Sequence, residues 1–294
     1  MLFKGSAVAL VTPMLENGKI DFNALIDLVG WHIASGTQAL IINGTTGEAA
    51  TLNWTEQCEV VERVVAHVNK QIPVIAGTGT YATQSAISQT VDMEKLGVDG
   101  VLIVTPYYNK PTQIGLLHHF NSIADKTSLP ILLYNVPSRT ACDLKPETVV
   151  ALAKVSNIVG IKEATGDIAR VQAIKAHTKS EFLLLSGDDC STLAFILAGG
   201  DGVISVTANV LPHIVRKMCD YALKGEAALA EQLDEKMQKM HQALFLESNP
   251  IPVKWLLWQM GKIDSGIRLP LTPLSTQYHD SLMQALNVVG AVNV

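Results

Sequence analysis

Lys162 closes the apolar run Ile158-Val159-Gly160-Ile161, where a lysine is placed to act as a nucleophile. Among apolar neighbours its amine would lose hydration. Desolvation favours the neutral form, which attacks a carbonyl carbon to form a Schiff base. An unperturbed lysine, with a pKa of about 10.4, is neutral in fewer than about one molecule in a thousand at pH 7, so burial can change the reactive population by orders of magnitude. The alternative is a lysine that lays its stem along apolar surface or pairs with Glu163. Tyr134 ends the preceding apolar run, Ile131–Tyr134. Adjacent strands lie about 4.8 Å apart, so its phenol can reach the amine region and shuttle protons there. Otherwise it is an aromatic wall residue with its hydroxyl satisfied by backbone.

Gly44-Thr45-Thr46-Gly47-Glu48 follows another apolar run. Its glycines permit a tight turn that exposes consecutive amides, a nest for a small carboxylate, with the Thr45 hydroxyl free to bridge to Tyr134. A turn with a helix cap is the plainer reading. Arg139, in Val136-Pro137-Ser138-Arg139-Thr140, could clamp a second carboxylate bidentately or be an exposed loop residue. Other clusters point to no metal. His118 and His119 are adjacent on a helical segment and diverge. Asp188-Asp189 could hold Mg²⁺ but has no third partner in the pattern. Lys254, beside Trp255 and Trp258, reads as core or interface.

These residues cap short Val-, Ile- and Leu-rich runs that must position them: Ala7–Val11, Ala39–Ile42, Pro73–Ala76, Val101–Val104, Ile131–Tyr134, Ile158–Ile161, Phe182–Leu185 and Val203–Val206. Continuous rather than alternating apolarity marks strands buried on both faces of a parallel sheet. Helical periodicity fills the gaps, for example at Phe22, Leu25, Ile26, Val29 and Ile33, with start signals at Asp21, Thr55, Pro146 and Pro212. Such strand–helix units predict an α/β (β/α)8 TIM barrel over 1–225, in preference to a doubly wound sheet, because no G-x-G-x-x-G follows the first strand. A helical domain is expected over 226–294, with helices over Glu226–Leu246, Val253–Met260 and Thr276–Asn287 and a break at Asn249-Pro250-Ile251-Pro252. In this barrel type the chemistry sits at the carboxyl ends of the strands, where these residues fall.

Composition narrows the classes. Among 294 residues 48% are hydrophobic and 17% charged, with net charge -5. Disorder is excluded, and a surface with so little charge is either neutral or covered by other subunits. Without a basic run, no nucleic-acid partner is expected. No stretch approaches the ~18 apolar residues of a membrane span, and the apolar opening is too short for a signal peptide. Four scattered cysteines, Cys58, Cys142, Cys190 and Cys219, fit a reducing cytoplasm.

With Gly-Thr-Thr-Gly-Glu at 44–48, Tyr-Asn-Val-Pro-Ser-Arg-Thr at 134–140 and Gly-Ile-Lys-Glu-Ala at 160–164, the chain resembles the dihydrodipicolinate synthase family. This family belongs to the pyruvate-dependent class I aldolases of the N-acetylneuraminate lyase superfamily. The likeness runs from Val11-Thr12-Pro13 through Leu185-Ser186-Gly187-Asp188-Asp189 and Gly202–Val206 to Asn249–Lys254. It implies that Lys162 forms an imine with pyruvate, whose enamine attacks L-aspartate 4-semialdehyde to give 4-hydroxy-tetrahydrodipicolinate, the first committed step of the diaminopimelate route to lysine. No cofactor is implied. By the same resemblance Tyr134, Thr45 and Tyr108 form the proton relay, with Tyr108 reaching in from a neighbouring subunit. Thr46 and Thr45 hold the pyruvate carboxylate, Arg139 holds that of the semialdehyde, and Gly187 and Ile204 line the site. Arg139 favours this family over sugar-acid lyases, whose substrates offer hydroxyls there. Retention of both nucleophile and relay argues against a non-catalytic keto-acid sensor. The family implies a homotetramer of two tight dimers. Relatives inhibited by lysine carry histidines, an amide and an acid where this chain has Trp54, Gln57, Tyr81 and Ser85, so weak or absent feedback is expected.

Overall fold

Each of the eight apolar runs forms a parallel strand: β1 (Gly5–Ala9), β2 (Ala39–Ile42), β3 (Val74–Gly77), β4 (Gly100–Val104), β5 (Ile131–Asn135), β6 (Ile158–Glu163), β7 (Leu183–Ser186) and β8 (Gly202–Ser205). Neighbours in sequence pair with one another, and β1 pairs with β8, so the sheet closes into a barrel without an edge. The computed structural model describes residues 2–289.

Helices α1 (Phe22–Ala34), α2 (Trp54–Val68), α3 (Thr83–Lys95), α4 (Gln113–Ala124), α5 (Pro137–Thr140), α6 (Pro146–Leu152), α7 (Ala169–Lys175) and α8 (Thr192–Leu197) lie between successive strands, and α9 (Pro212–Leu223) follows β8. Helices α10 (Ala227–Ala243), α11 (Ile251–Gln259) and α12 (His279–Val289) follow. Their boundaries have local causes. Asp21 caps α1 by accepting from the Ala24 amide, and Pro146 and Pro212 open α6 and α9. Helix α2 starts one residue before the expected Thr55. Asn53 and Glu56 form a reciprocal capping box there, satisfying two otherwise free amides.

Two apolar layers hold the barrel. Residues such as Ala7, Ile41, Ile75, Leu102, Leu132, Leu185 and Ile204 fill its interior. An outer layer lies between strands and helices, and it includes Met237, Met240, Val253 and Leu256 of α10 and α11. The C-terminal helices therefore share the barrel's outer core.

Strand β6 departs from simple alternation. Its pairing with β5 shifts register between Ile131–Ile158 and Leu132–Gly160, leaving Val159 as the extra residue. Ile158 faces the outer layer; strict alternation would turn Gly160 and Lys162 outward as well. The bulge reverses this. Ile161 packs in the outer layer, and Lys162, paired opposite Tyr134, turns into the barrel.

Candidate active site

The inward turn of Lys162 sets the floor of a cavity of about 210 Å³ at the carboxyl end of the barrel. Only 6% of the residue is exposed, and its Nζ lies 4.5 Å from the centroid of the Tyr134 ring. The amine has no hydrogen-bond or ion-pair partner among the described residues. Glu163, the partner weighed in the sequence, points to the other face of β6. There it accepts from Asn135 Nδ2 at 3.1 Å, the Thr165 amide at 2.9 Å and the Arg170 guanidinium at 3.3 Å. Arg170 also donates to Asp143 at 2.7 Å, and with Asn135 it holds that carboxyl below the usual range despite burial. This network anchors the ends of β5 and β6 from outside.

Space for the lysine comes from Gly187, just past β7. A methyl group there would lie 2.8 Å from Lys162 Cε and 2.7 Å from Ala164 Cβ. The Gly187 amide is committed to the Glu163 carbonyl at 2.7 Å, which fixes this close approach.

The Gly44–Glu48 loop forms the facing wall. The amides of Gly47 and Glu48 turn back to the carbonyls of Gly44 and Thr45. Those of Thr45 and Thr46 have no acceptor among the described residues, which leaves two adjacent N–H groups available to an anion. The buried Thr46 hydroxyl accepts from Asn249 Nδ2 at 2.8 Å, so its own proton is free to be donated into the cavity. Thr45 and Tyr134 line the same cavity, but no hydrogen bond joins their hydroxyls.

Arg139 sits on α5, a single turn opened by Pro137, and reaches the Asn249 carbonyl at 3.5 Å. It borders both the inner cavity and a wider vestibule of about 540 Å³ that also meets Gln57, Thr80 and Tyr107. The structure does not bring two of the expected residues to the cavity. Ile204 is buried in the barrel interior, and the wall at that strand end is Val206. Tyr108, expected to serve a neighbouring subunit, is 92% exposed with a left-handed backbone, φ 74°, and does not line its own chain's cavity.

Sequence reasoning gave Asn249 no role at the site, although it lines both spaces and orients Thr46; Asn249-Pro250 read as a helix break and as one end of the family likeness. Both acids after β7 are engaged in local hydrogen bonds, and Asp188 also lines the inner cavity. Asp189 accepts from the amides of Val206 and Thr207 at 2.9 and 3.0 Å, and Asp188 caps Ser191. Among the described residues no group of three acidic, histidine or cysteine side chains is arranged to hold a metal.

The sequence matches the profile of the Dihydrodipicolinate synthetase family over residues 2–289. The chain belongs to this family. It is 53% identical over 289 residues to the 4-hydroxy-tetrahydrodipicolinate synthase of Coxiella burnetii (strain RSA 493 / Nine Mile phase I), covering 98% of this chain and 99% of the relative. To the enzyme of that name from Saccharophagus degradans it is 54% identical, with the same coverage. The dihydrodipicolinate synthase of Acinetobacter baumannii, solved in complex with pyruvate, superposes with a TM-score of 0.96 at 49% identity, over 98% of this chain and 99% of that one. Barrel, lysine-bearing strand and helical extension are thus those of a dihydrodipicolinate synthase fold.

Proposed function

We propose that this chain condenses pyruvate with L-aspartate 4-semialdehyde through a Schiff base on Lys162, releasing 4-hydroxy-tetrahydrodipicolinate and water. The observation that carries the reading is the partnerless Lys162 amine on the floor of the inner cavity, over the Tyr134 ring. Full-length relatives that bear the synthase name support the choice of substrates.

In this mechanism the amine adds to C2 of pyruvate, and loss of the C2 oxygen as water leaves an imine. The free amides of Thr45 and Thr46 and the Thr46 hydroxyl hold the pyruvate carboxylate. Loss of a C3 proton gives the enamine, whose C3 forms a bond to the aldehyde carbon while the aldehyde oxygen takes a proton. Tyr134, with Thr45 and the Tyr108 of a second subunit, carries these protons. Arg139 binds the semialdehyde carboxylate at the mouth. The substrate's own amine then attacks the former C2 carbon and expels Lys162, closing the ring. The assembly proposed is a tetramer made of two dimers, working in the cytoplasm.

Borohydride reduction in the presence of pyruvate, followed by peptide mapping, tests the reading. Label on Lys162 is expected, and label elsewhere or none overturns it. Aspartate semialdehyde should be a far better acceptor than N-acetylmannosamine.

Feedback is expected to be weak. The Trp54 indole donates to Asp92, and the Gln57 amide donates to the carbonyls of Ala49 and Leu52, so neither offers the acidic or imidazole partners of lysine-sensitive relatives. Initial rates should change little at millimolar lysine; tight inhibition below millimolar would contradict this.

A further inference from the structure

The loop that faces Lys162 is bounded by two left-handed residues. Asn43 and Glu48 both have φ of 55°, a conformation asparagine adopts readily but one that persists at a glutamate only where surroundings impose it. Asn43 is held locally, donating through Nδ2 to the Gln57 carbonyl at 3.0 Å. Glu48 is held from the far end of the chain. Its buried carboxylate forms an ion pair with Lys254 of α11 and accepts from the backbone amide of Arg268 at 3.3 Å. Arg268 then grips the outer side of the loop. Its guanidinium donates to the Thr51 carbonyl at 3.0 Å, to Glu56 at 2.6 and 2.8 Å, and to the Gly18 carbonyl at 2.8 Å. With Asn249 on Thr46, three residues from 249–268 thus fasten one loop of five residues and its exit.

An ion pair this buried is an expensive way to fill space, since apolar residues of similar shape do so without desolvating two charges. Burial pulls the Lys254 ammonium below the ordinary lysine range while Glu48 pushes it back up. What the pair supplies is direction: a fixed-length tie from a rigid helix to the residue after Thr45, Thr46 and Gly47.

We propose that Lys254 and Arg268 are positioning residues for pyruvate, the C-terminal helices acting as a clamp that sets the carboxylate-binding amides of Thr45 and Thr46 against Lys162. The inference rests on the proposed imine chemistry.

Lys254→Met leaves Glu48 buried without its partner and is expected to lower the thermal midpoint strongly. The charge-neutral double variant Glu48→Gln/Lys254→Met restores folding without the tie. In that variant the pyruvate concentration giving half-maximal borohydride labelling of Lys162 should rise about tenfold, while KM for the semialdehyde moves less than about twofold. Arg268→Gln leaves the buried pair intact and should raise the same pyruvate value about threefold. An unchanged pyruvate value in a folded double variant or in Arg268→Gln overturns the clamp. Absence of label in the wild-type protein would instead remove the imine reading itself, so the two failures are distinguishable.

Discussion

Gly187 shows how little room the reactive amine has. Because a methyl group there would press on both Lys162 Cε and Ala164, Gly187→Ala must displace the lysine stem or the strand behind it. A shift of the amine by a fraction of an ångström to one ångström costs about 10²-fold in rate where the attack trajectory is fixed by the cavity. The expected outcome is a kcat lower by about that factor with little change in far-UV circular dichroism. Two buried histidines make a different residue-scale statement. His32 and His119 each bond through Nδ1 to a threonine, and burial drives their pKa values down to about 3 and about 4. Both are therefore neutral in the folded protein, whereas in the unfolded chain they protonate near pH 6.5. The unfolded chain then binds more protons, so stability is full above that pH and falls as pH drops through it. The loss continues to about pH 4 for His119 and about pH 3 for His32, with a slope of up to about 1.4 kcal/mol per pH unit for each histidine. Denaturant unfolding measured from pH 7.5 to 4.5 should show this decline, and His119→Asn should flatten it.

At the scale of elements, β6 is the strand on which the site depends, and its bulge is held open by a glycine. A side chain at Gly160 would lie 2.6 Å from Leu183 Cβ and 3.0 Å from Leu132 Cδ2. Gly160→Ala should destabilise the fold by about 1–3 kcal/mol, read as a lower urea midpoint at unchanged m. It should also reduce labelling of Lys162, because relieving the clash opposes the register that turns the lysine inward. The sequence reveals the strand but not this register. A continuous apolar run carries no alternation, so Ile158–Ile161 marks burial on both faces without saying which residues look inward. The other strands and the starts of α1, α6 and α9 were legible because their causes are local: Asp21, Pro146 and Pro212 act on their own first turns. Helix α2, by contrast, starts at the Asn53–Glu56 capping box rather than at Thr55, and α11 begins at Ile251, inside the expected break. Strand β1 lies two residues earlier than its apolar run because pairing with β8 begins at Gly5. Asn249, Lys254 and Arg268 were not legible as parts of the site. Their partners lie about two hundred residues away in sequence, and no periodicity or motif spacing encodes a contact of that range.

For the whole molecule, the scarcity of charge meets an exposed aromatic patch on the loops after β3 and β4. Tyr81 and Tyr107 stack edge to face at 5.5 Å, Asn109 ties the two loops together at 2.8 Å, and Tyr108 projects beside them, 92% exposed. A bulky residue held exposed in a left-handed conformation gains nothing from its own chain. A second copy meeting this face across a two-fold axis would receive Tyr108 and present its own in return. Sedimentation velocity should then show a dimer or larger assembly, weakened in Tyr108→Ala. The decisive experiment mixes two inactive proteins, Lys162→Ala and Tyr108→Phe, under conditions that exchange subunits. If Tyr108 serves the opposite subunit, each mixed dimer regains one complete site: the lysine of one copy and the tyrosine of the other. Equal mixing should restore about a quarter of the wild-type activity, the share of complete sites when half the dimers are mixed. If Tyr108 acts within its own chain, no site in the mixture is complete and no activity returns.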